Sequence, residues 1–226
     1  MNSKKVQKTY SYNLRKLRPL TETQAIFFRE FEKDKNIVAT GYAGTGKSLI
    51  SLYCSFQTIF SGKTNYYKVV IIRSAVPSRD IGFLKGGLEE KLMNYELPYI
   101  DICNYLFGEE VYEGLKEDLM LEFLSTSFLR GLTFVNSIII VDEAQNCSAQ
   151  ELDTIITRVG KNCKILFLVD EEQTDLSEKE KIKRKQFWDI ISNIDEFSFI
   201  HFNENDIVRS GLVKKYIVEK NKYYRS

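Results

Sequence analysis

The chain lacks the features that would mark a secreted, membrane-spanning or disulfide-built protein. Among 226 residues there are four cysteines, Cys54, Cys103, Cys147 and Cys163, and no two form a C-x-x-C pair. That scatter argues against a disulfide framework or a zinc site and predicts reduced thiols in a cytoplasmic protein. No apolar stretch approaches the ~20 residues needed to cross a bilayer, so no membrane association is expected. The first residues also lack the apolar segment of a secretory signal. The single histidine, His201, falls in a strand-like run and reads as structural rather than catalytic. With 32 basic against 31 acidic residues the net charge is only +1, so no global attraction to nucleic acid follows. Internal repeats and low-complexity linkers are missing too, and one domain is the simplest count.

What charge asymmetry exists lies at the ends. Lys4, Lys5, Lys8, Arg15, Lys16 and Arg18 precede the first acid, Glu22. Lys214, Lys215, Lys220, Lys222 and Arg225 stand against Glu219 near the other end. Tyr10, Tyr12, Tyr216, Tyr223 and Tyr224 are interleaved with them. Such ends can follow a phosphate backbone and stack on bases, although solvated, partly frayed termini are the simpler reading. The chain divides accordingly into a basic extension over residues 1–20, a domain over 21–218 and a basic tail over 219–226.

Four apolar runs punctuate the middle: NIVAT at 36–40, KVVIIR at 68–73, SIIIVD at 137–142 and KILFLVD at 164–170. They do not alternate polar and apolar residues, which suits strands covered on both faces. Further strands are expected at 121–125 and 197–202. Helical spacing follows the first run, through Leu49, Leu52, Tyr53, Phe56, Ile59 and Phe60, with Gly62 placed to stop it. Ser148-x-x-Glu151 is a capping box opening a second amphipathic helix, which Gly160 would end. Residues 87–118 predict short helices broken by Pro98 and Gly108, as a lid or side insertion, and the charged stretch 177–185 predicts a surface loop or helix start. Alternating strands and helices predict an α/β fold with a mainly parallel sheet and helices on both faces.

Three of the runs end in chemically notable residues, and in such sheets ligands bind beyond the carboxyl ends of the strands. After the first run, Gly41-x-x-x-x-Gly46-Lys47-Ser48 fits the phosphate-loop pattern without deviation. The expected phosphate-binding residues run from Gly41 through Tyr42, Ala43, Gly44, Thr45 and Gly46 to Lys47, Ser48 and Leu49. The glycines let backbone N–H groups turn inward, and the helix start adds its positive dipole end. Lys47 would reach the terminal phosphates and Ser48 would hold Mg²⁺. Asp142, after the third run, is a second magnesium-shell candidate, and Glu143 beside it could polarise an attacking water. Gln173, beyond the fourth run, could sense the γ phosphate or be a turn residue. Gln24, in LTETQ, could read adenine through two hydrogen bonds.

Together these motifs give the chain a resemblance to the PhoH-like family, whose ATPase domain is similar to the RecA-like P-loop NTPase core of superfamily-one helicases. The resemblance covers about residues 20–217 and rests on TETQ, GYAGTGKS, RSAVPSRDIGFLKGGLEEKL, SFLRGLTF, IIIVDEAQN, DEEQTDL and DIVRSGLV, in that order. It implies ATP and Mg²⁺ as cofactors, with Lys47, Ser48, Asp142 and Glu143 in the roles just given. It also implies an adenine contact for Gln24 and a sensor role for Gln173. Arg209 then corresponds to the arginine that contacts the γ phosphate in related helicases, and Arg130 to the first arginine of an R-G-R element. The chain departs from the family at Leu132, the second arginine of that element, at Leu168-Val169, where a Thr-Gly pair is usual, and at Ser210-Gly211, where His-Pro is usual. Its length resembles the short, single-domain form often encoded by phages.

The resulting expectation is an Mg²⁺-dependent ATPase, coupled to RNA or single-stranded DNA as a helicase or translocase. The alternative is a nucleotide-gated scaffold with little turnover. Since a lone domain offers no second domain to carry an arginine finger, Arg209 is expected to act on a neighbouring subunit. A homo-oligomer, as a ring such as a hexamer, follows from that.

Overall fold

The computed structural model describes residues 12–74, 88–170 and 178–225. Gln173, most of DEEQTDL and the middle of RSAVPSRDIGFLKGGLEEKL lie outside the described residues. The elements are, in chain order, α1 (Glu22–Glu32), β1 (Asn36–Gly41), α2 (Lys47–Phe60), β2 (Lys68–Arg73), α3 (Leu88–Phe107), α4 (Val111–Glu117) and β3 (Leu121–Ser125). They continue with β4 (Ser137–Asp142), α5 (Ala149–Thr157), β5 (Lys164–Leu168), α6 (Glu178–Ile191), β6 (Phe197–Phe202) and α7 (Gly211–Arg225). The strands form one sheet in the order β3-β2-β4-β5-β1-β6, and every pairing is parallel.

The missing polar alternation is explained by the two faces. Ile37, Ala39, Val69, Ile71, Ile138, Ile140, Leu166 and Leu168 face a core closed by α1, α2, α3 and α4. Their sequence neighbours Val38, Val70, Ile72, Ile139, Val141, Ile165 and Phe167 face a second core closed by α5 and α6. Successive side chains point to opposite faces of a strand, so a sheet covered twice requires apolar residues at every position. This is the RecA-like α/β architecture that the sequence implied, with all six strands where the runs predict them.

Local signals hold at several helix ends. Ser148 accepts from the Glu151 amide at 3.3 Å while Glu151 accepts from the Ser148 amide at 2.7 Å, completing the capping box of α5. Gly62, at φ 64°, follows α2 and donates to Ile59 O at 3.1 Å. Of the charged stretch, residues 178–185 form the start of α6.

Other expectations are corrected. Pro98 does not break the insertion: α3 runs unbroken from Leu88 to Phe107 with Pro98 inside it. Burial of Tyr99, Cys103 and Leu106 against the first core outweighs the hydrogen bond that a proline forfeits. Gly108, at φ 102°, does end the helix. Gly160 is not the cap of α5, which stops at Thr157 because Phe134 N donates to Arg158 O at 2.9 Å and Gly160 N to Phe134 O at 3.0 Å. A Cβ at Gly160 would lie 2.4 Å from Phe134 O, so glycine permits close backbone approach there.

The amino-terminal segment is laid on the domain from residue 12 onward. Arg15 N donates to Leu106 O at 2.8 Å. Tyr12 stacks on Phe60 with ring centroids 6.2 Å apart, and its hydroxyl donates to Asp118 at 2.7 Å. Tyr12 is therefore a packing residue rather than a free stacking platform. At the other end α7 is continuous across residue 218, so the basic tail is the last part of a helix. His201 pairs through Nδ1 with the Thr40 hydroxyl at 3.0 Å across β1 and β6, in keeping with its structural reading.

Candidate nucleotide-binding site

Because β4, β5 and β1 are neighbours, the ends of the runs carrying Asp142, Asp170 and the glycine loop meet at one edge of the sheet. There a cleft of about 700 Å³ opens, lined by residues 43–49, Asp142, Glu143 and Asp170 together with Arg73, Arg209 and one face of α3.

The loop is held open by its glycines and by what surrounds it. Gly41 is at φ 120°, and a Cβ there would sit 1.9 Å from Phe202 O of β6. Tyr42 N donates to that same carbonyl at 3.1 Å. Gly44 and Gly46 are also at positive φ, 75° and 84°, and Gly46 is the N-cap of α2. The first amides of α2 therefore face the cleft with the positive end of the helix dipole. The buried Lys47 ammonium donates to Tyr42 O at 2.7 Å, with Gly41 O and Thr45 Oγ1 at 3.4 Å. It is thus gathered inside the loop that is expected to hold an anion.

Ser48 and Asp142 come together from residues 94 positions apart. Ser48 Oγ donates to Asp142 Oδ2 at 2.9 Å, and Tyr99 of α3 donates to the same oxygen at 3.0 Å. Glu143 N donates to Asp142 Oδ1 at 3.0 Å, so both carboxylate oxygens are oriented. A hydroxyl and a carboxylate in contact, on the ends of two rigid elements, form an oxygen donor set of the kind Mg²⁺ takes. The residues present therefore fit that ion, and the loop amides with Lys47 fit the phosphates.

Glu143 sits at φ 52°, a left-handed conformation that an L residue other than glycine adopts at a cost of roughly 1–2 kcal/mol. Such strain recurs where a side chain must be aimed. Burial pushes its carboxyl up from the usual carboxylate range, and the Asp142 charge adds to that. The Arg73 guanidinium opposes the rise, Asp170 reinforces it, and the hydrogen bond from Gln145 lowers it slightly. Gln145 joins two strand ends: its Nε2 donates to Glu143 and its Oε1 accepts from Asp170 N at 2.8 Å. Arg184 of α6 in turn donates to Gln145 O.

Arg209 reaches the loop from its own chain. The turn Glu204–Asp206 is fixed by Asn203 and Asp206 capping one another, and beyond it Val208 N donates to Gly44 O at 3.0 Å. This leaves the Arg209 stem over Gly44, where a Cβ would meet its Cγ at 2.8 Å. Within one chain Arg209 lines the same cleft as Lys47 and Glu143, an arrangement that supplies an arginine without the neighbouring subunit the sequence reading expects.

Gln24 is close to the loop but behind it. Its Nε2 donates to Thr45 O at 2.9 Å, its Oε1 accepts from Leu20 N at 2.8 Å, and the residue is 3% exposed. Arg130 is exposed and is not among the residues lining the cleft. Sequence reasoning assigns no role to Tyr99 or Gln145, whereas Asp170, the notable residue ending the fourth run, does line the cleft. For Tyr99 no sequence signal exists, because its spacing from Asp142 reflects tertiary packing alone. For Gln145 the position two residues beyond Glu143 was the available hint.

The PhoH-like protein family model matches residues 16–220. A PhoH-like protein of Synechocystis is 28% identical over 202 residues, covering 89% of this chain and 61% of its own length. A PhoH-like protein of Bacillus subtilis is 29% identical over 202 residues, covering 89% and 63% respectively. The chain thus spans less than two thirds of these relatives. Among solved structures, the large terminase of a thermophilic bacteriophage superposes with a TM-score of 0.53 at 12% identity, covering 88% of this chain and 50% of the terminase, which is a likeness of fold.

Proposed function

Given that the chain belongs to the PhoH-like protein family, we propose that it binds ATP with Mg²⁺, hydrolyses it, and couples turnover to single-stranded RNA or DNA. One observation carries the hydrolytic part: the Ser48–Asp142 contact at 2.9 Å with Glu143 next in sequence, its carboxyl aimed from a left-handed backbone. When bound, Mg²⁺ would supply charge neutralisation at the terminal phosphates. Ser48 and Asp142 are the residues that would hold it. The loop amides and Lys47 bind the phosphate oxygens, and Arg209 meets the charge that grows as the terminal phosphoryl group departs. Glu143 orients a water and accepts its proton, for which burial has already raised its basicity. The scaffold alternative is disfavoured, since a nucleotide-gated binder has no use for a buried, strained carboxylate beside its metal-binding aspartate.

The nucleic-acid part rests on α7. Lys215 and Lys222 are exposed along it and Lys214 is half-buried, while Leu212, Tyr216 and Tyr223 are exposed. Cations interleaved with tyrosines suit a strand whose backbone is anionic and whose bases stack. The helix begins two residues after Arg209, so load on α7 acts directly on the loop contact. Turnover should rise on adding single-stranded RNA or DNA and lose that stimulation as salt increases. Turnover indifferent to both, at low salt, would remove the coupling and leave the ATPase. Among the described residues no helix is long and apolar enough to cross a membrane.

A further inference from the structure

We infer that the cleft selects its ligand by the triphosphate and not by the base, so that GTP, CTP and UTP are accepted alongside ATP. The inference rests on the triphosphate reading above and extends it to substrate class.

The residue best placed by sequence to read adenine is occupied elsewhere. An amide recognises adenine by donating and accepting at once. In Gln24 the acceptor end is taken by Leu20 N at 2.8 Å and the donor end by Thr45 O at 2.9 Å. The side chain lies under the loop, and a Cβ at Gly46 would come 3.2 Å from its Nε2. Gln24 is a brace that fixes the Thr45 carbonyl and the segment entering α1. To read a base by turning its amide it would have to abandon both partners, leaving the buried Thr45 O without its donor.

The rest of the cleft has the wrong chemistry for base selection. The metal end is marked by Asp142, bonded to Tyr99. From there Pro98, Asp101, Ile102 and Tyr105 form one face of α3 along the cleft. Seven residues of helix carry this wall about 10 Å away from the metal end. A nucleotide whose phosphates lie on residues 43–48 therefore extends its sugar and base along Ile102 and Tyr105, toward Leu20. Leu20 is 76% exposed and Tyr105 48%, with the Arg15 guanidinium 4.6 Å over the Tyr105 ring. Apolar and aromatic faces accept any base. The polar tips on this wall, Asp101 and the Tyr105 hydroxyl, are open to solvent, and water replaces whatever hydrogen bond a different base fails to make. A site that reads a base edge with buried polar groups rejects the wrong one by orders of magnitude, and no such group faces the base among the described lining residues.

The test is displacement of a fluorescent ATP derivative from the full chain by ATP, GTP, CTP, UTP and inorganic tripolyphosphate, each with Mg²⁺. The four nucleotides should fall within about tenfold of one another, the worth of roughly one hydrogen bond. Gln24→Ala should weaken all four and tripolyphosphate by a common factor. Tyr105→Ala should weaken the nucleotides and leave tripolyphosphate unchanged. A preference for ATP beyond about tenfold over the other three, or a Gln24→Ala defect confined to ATP, overturns base indifference while leaving the triphosphate site standing. If none of the five displaces the probe, the triphosphate reading fails and this inference falls with it. The wild-type ranking decides the matter even if a variant does not fold.

Discussion

Replacing Gly41 by alanine should damage the fold, whereas the same change at Gly44 should damage only the site. At Gly41 the new methyl would lie 1.9 Å from Phe202 O, so β6 must retreat by more than 1 Å at its carboxyl end. That breaks the Tyr42 N to Phe202 O bond and begins to uncover Phe202, which is fully buried. Backbone strain, one lost hydrogen bond and partial exposure of an aromatic ring come to roughly 3–7 kcal/mol. A domain of this size has about 5–15 kcal/mol in total and loses about 2–4 °C of Tm per kcal/mol. Gly41→Ala should therefore lower Tm by roughly 10 °C or more and reduce soluble yield. At Gly44 the methyl would meet Arg209 Cγ at 2.8 Å, part of a side chain that can swing away. Only the strain of φ 75° remains, about 1–2 kcal/mol, so Tm should fall by only a few degrees while turnover drops as Arg209 is displaced. Circular dichroism melts read both, with Gly211→Ala, which meets nothing within 4 Å, as the control. Equal Tm losses for Gly41→Ala and Gly44→Ala would refute the claim that β6 backs the loop.

On the proposal that Arg209 serves the cleft it lines, Arg209→Ala should lower kcat by about 10³–10⁵, and mixing it with Lys47→Ala protein should not restore activity. Recovery on mixing would return Arg209 to a neighbouring subunit. The acid limb of the kcat–pH profile should lie above the ordinary carboxylate range, since a raised Glu143 pKa keeps the base protonated to higher pH; Arg73→Ala should move it higher still by removing the cation that opposes the rise. A limb unmoved by that change would contradict the assignment. Glu151→Ala removes half of the capping box and the partners of Thr126 at 2.5 Å and Ser74 at 3.2 Å, and should lower stability by about 1–3 kcal/mol in denaturant melts without changing nucleotide affinity.

The sheet was legible because a strand buried on both faces needs an uninterrupted apolar run, and runs such as SIIIVD have no rival reading of that length. The phosphate loop was legible because its glycines answer to backbone geometry that no other residue supplies. Contacts between distant elements were not. That Arg209 lines the cleft of its own chain depends on a turn after β6 that ties Val208 to Gly44, and nothing in DIVRSGLV encodes that distance. Pro98 misled because local propensity gave way to the burial of Tyr99 and Leu106. Tyr99 reaches Asp142 through the same packing, and sequence cannot show that the Gln24 amide is bonded to Thr45 O.

The most direct measurement compares Mg²⁺-dependent ATP hydrolysis and ATP binding for the wild-type chain and Glu143→Gln. If the cleft is a hydrolytic site with Glu143 as its base, the variant should bind ATP at least as tightly, having lost a buried negative charge, and turn it over about 10²–10⁴ times more slowly. Turnover in the variant equal to that of the wild type, or a wild-type chain that binds ATP and never cleaves it with or without nucleic acid, would contradict the account.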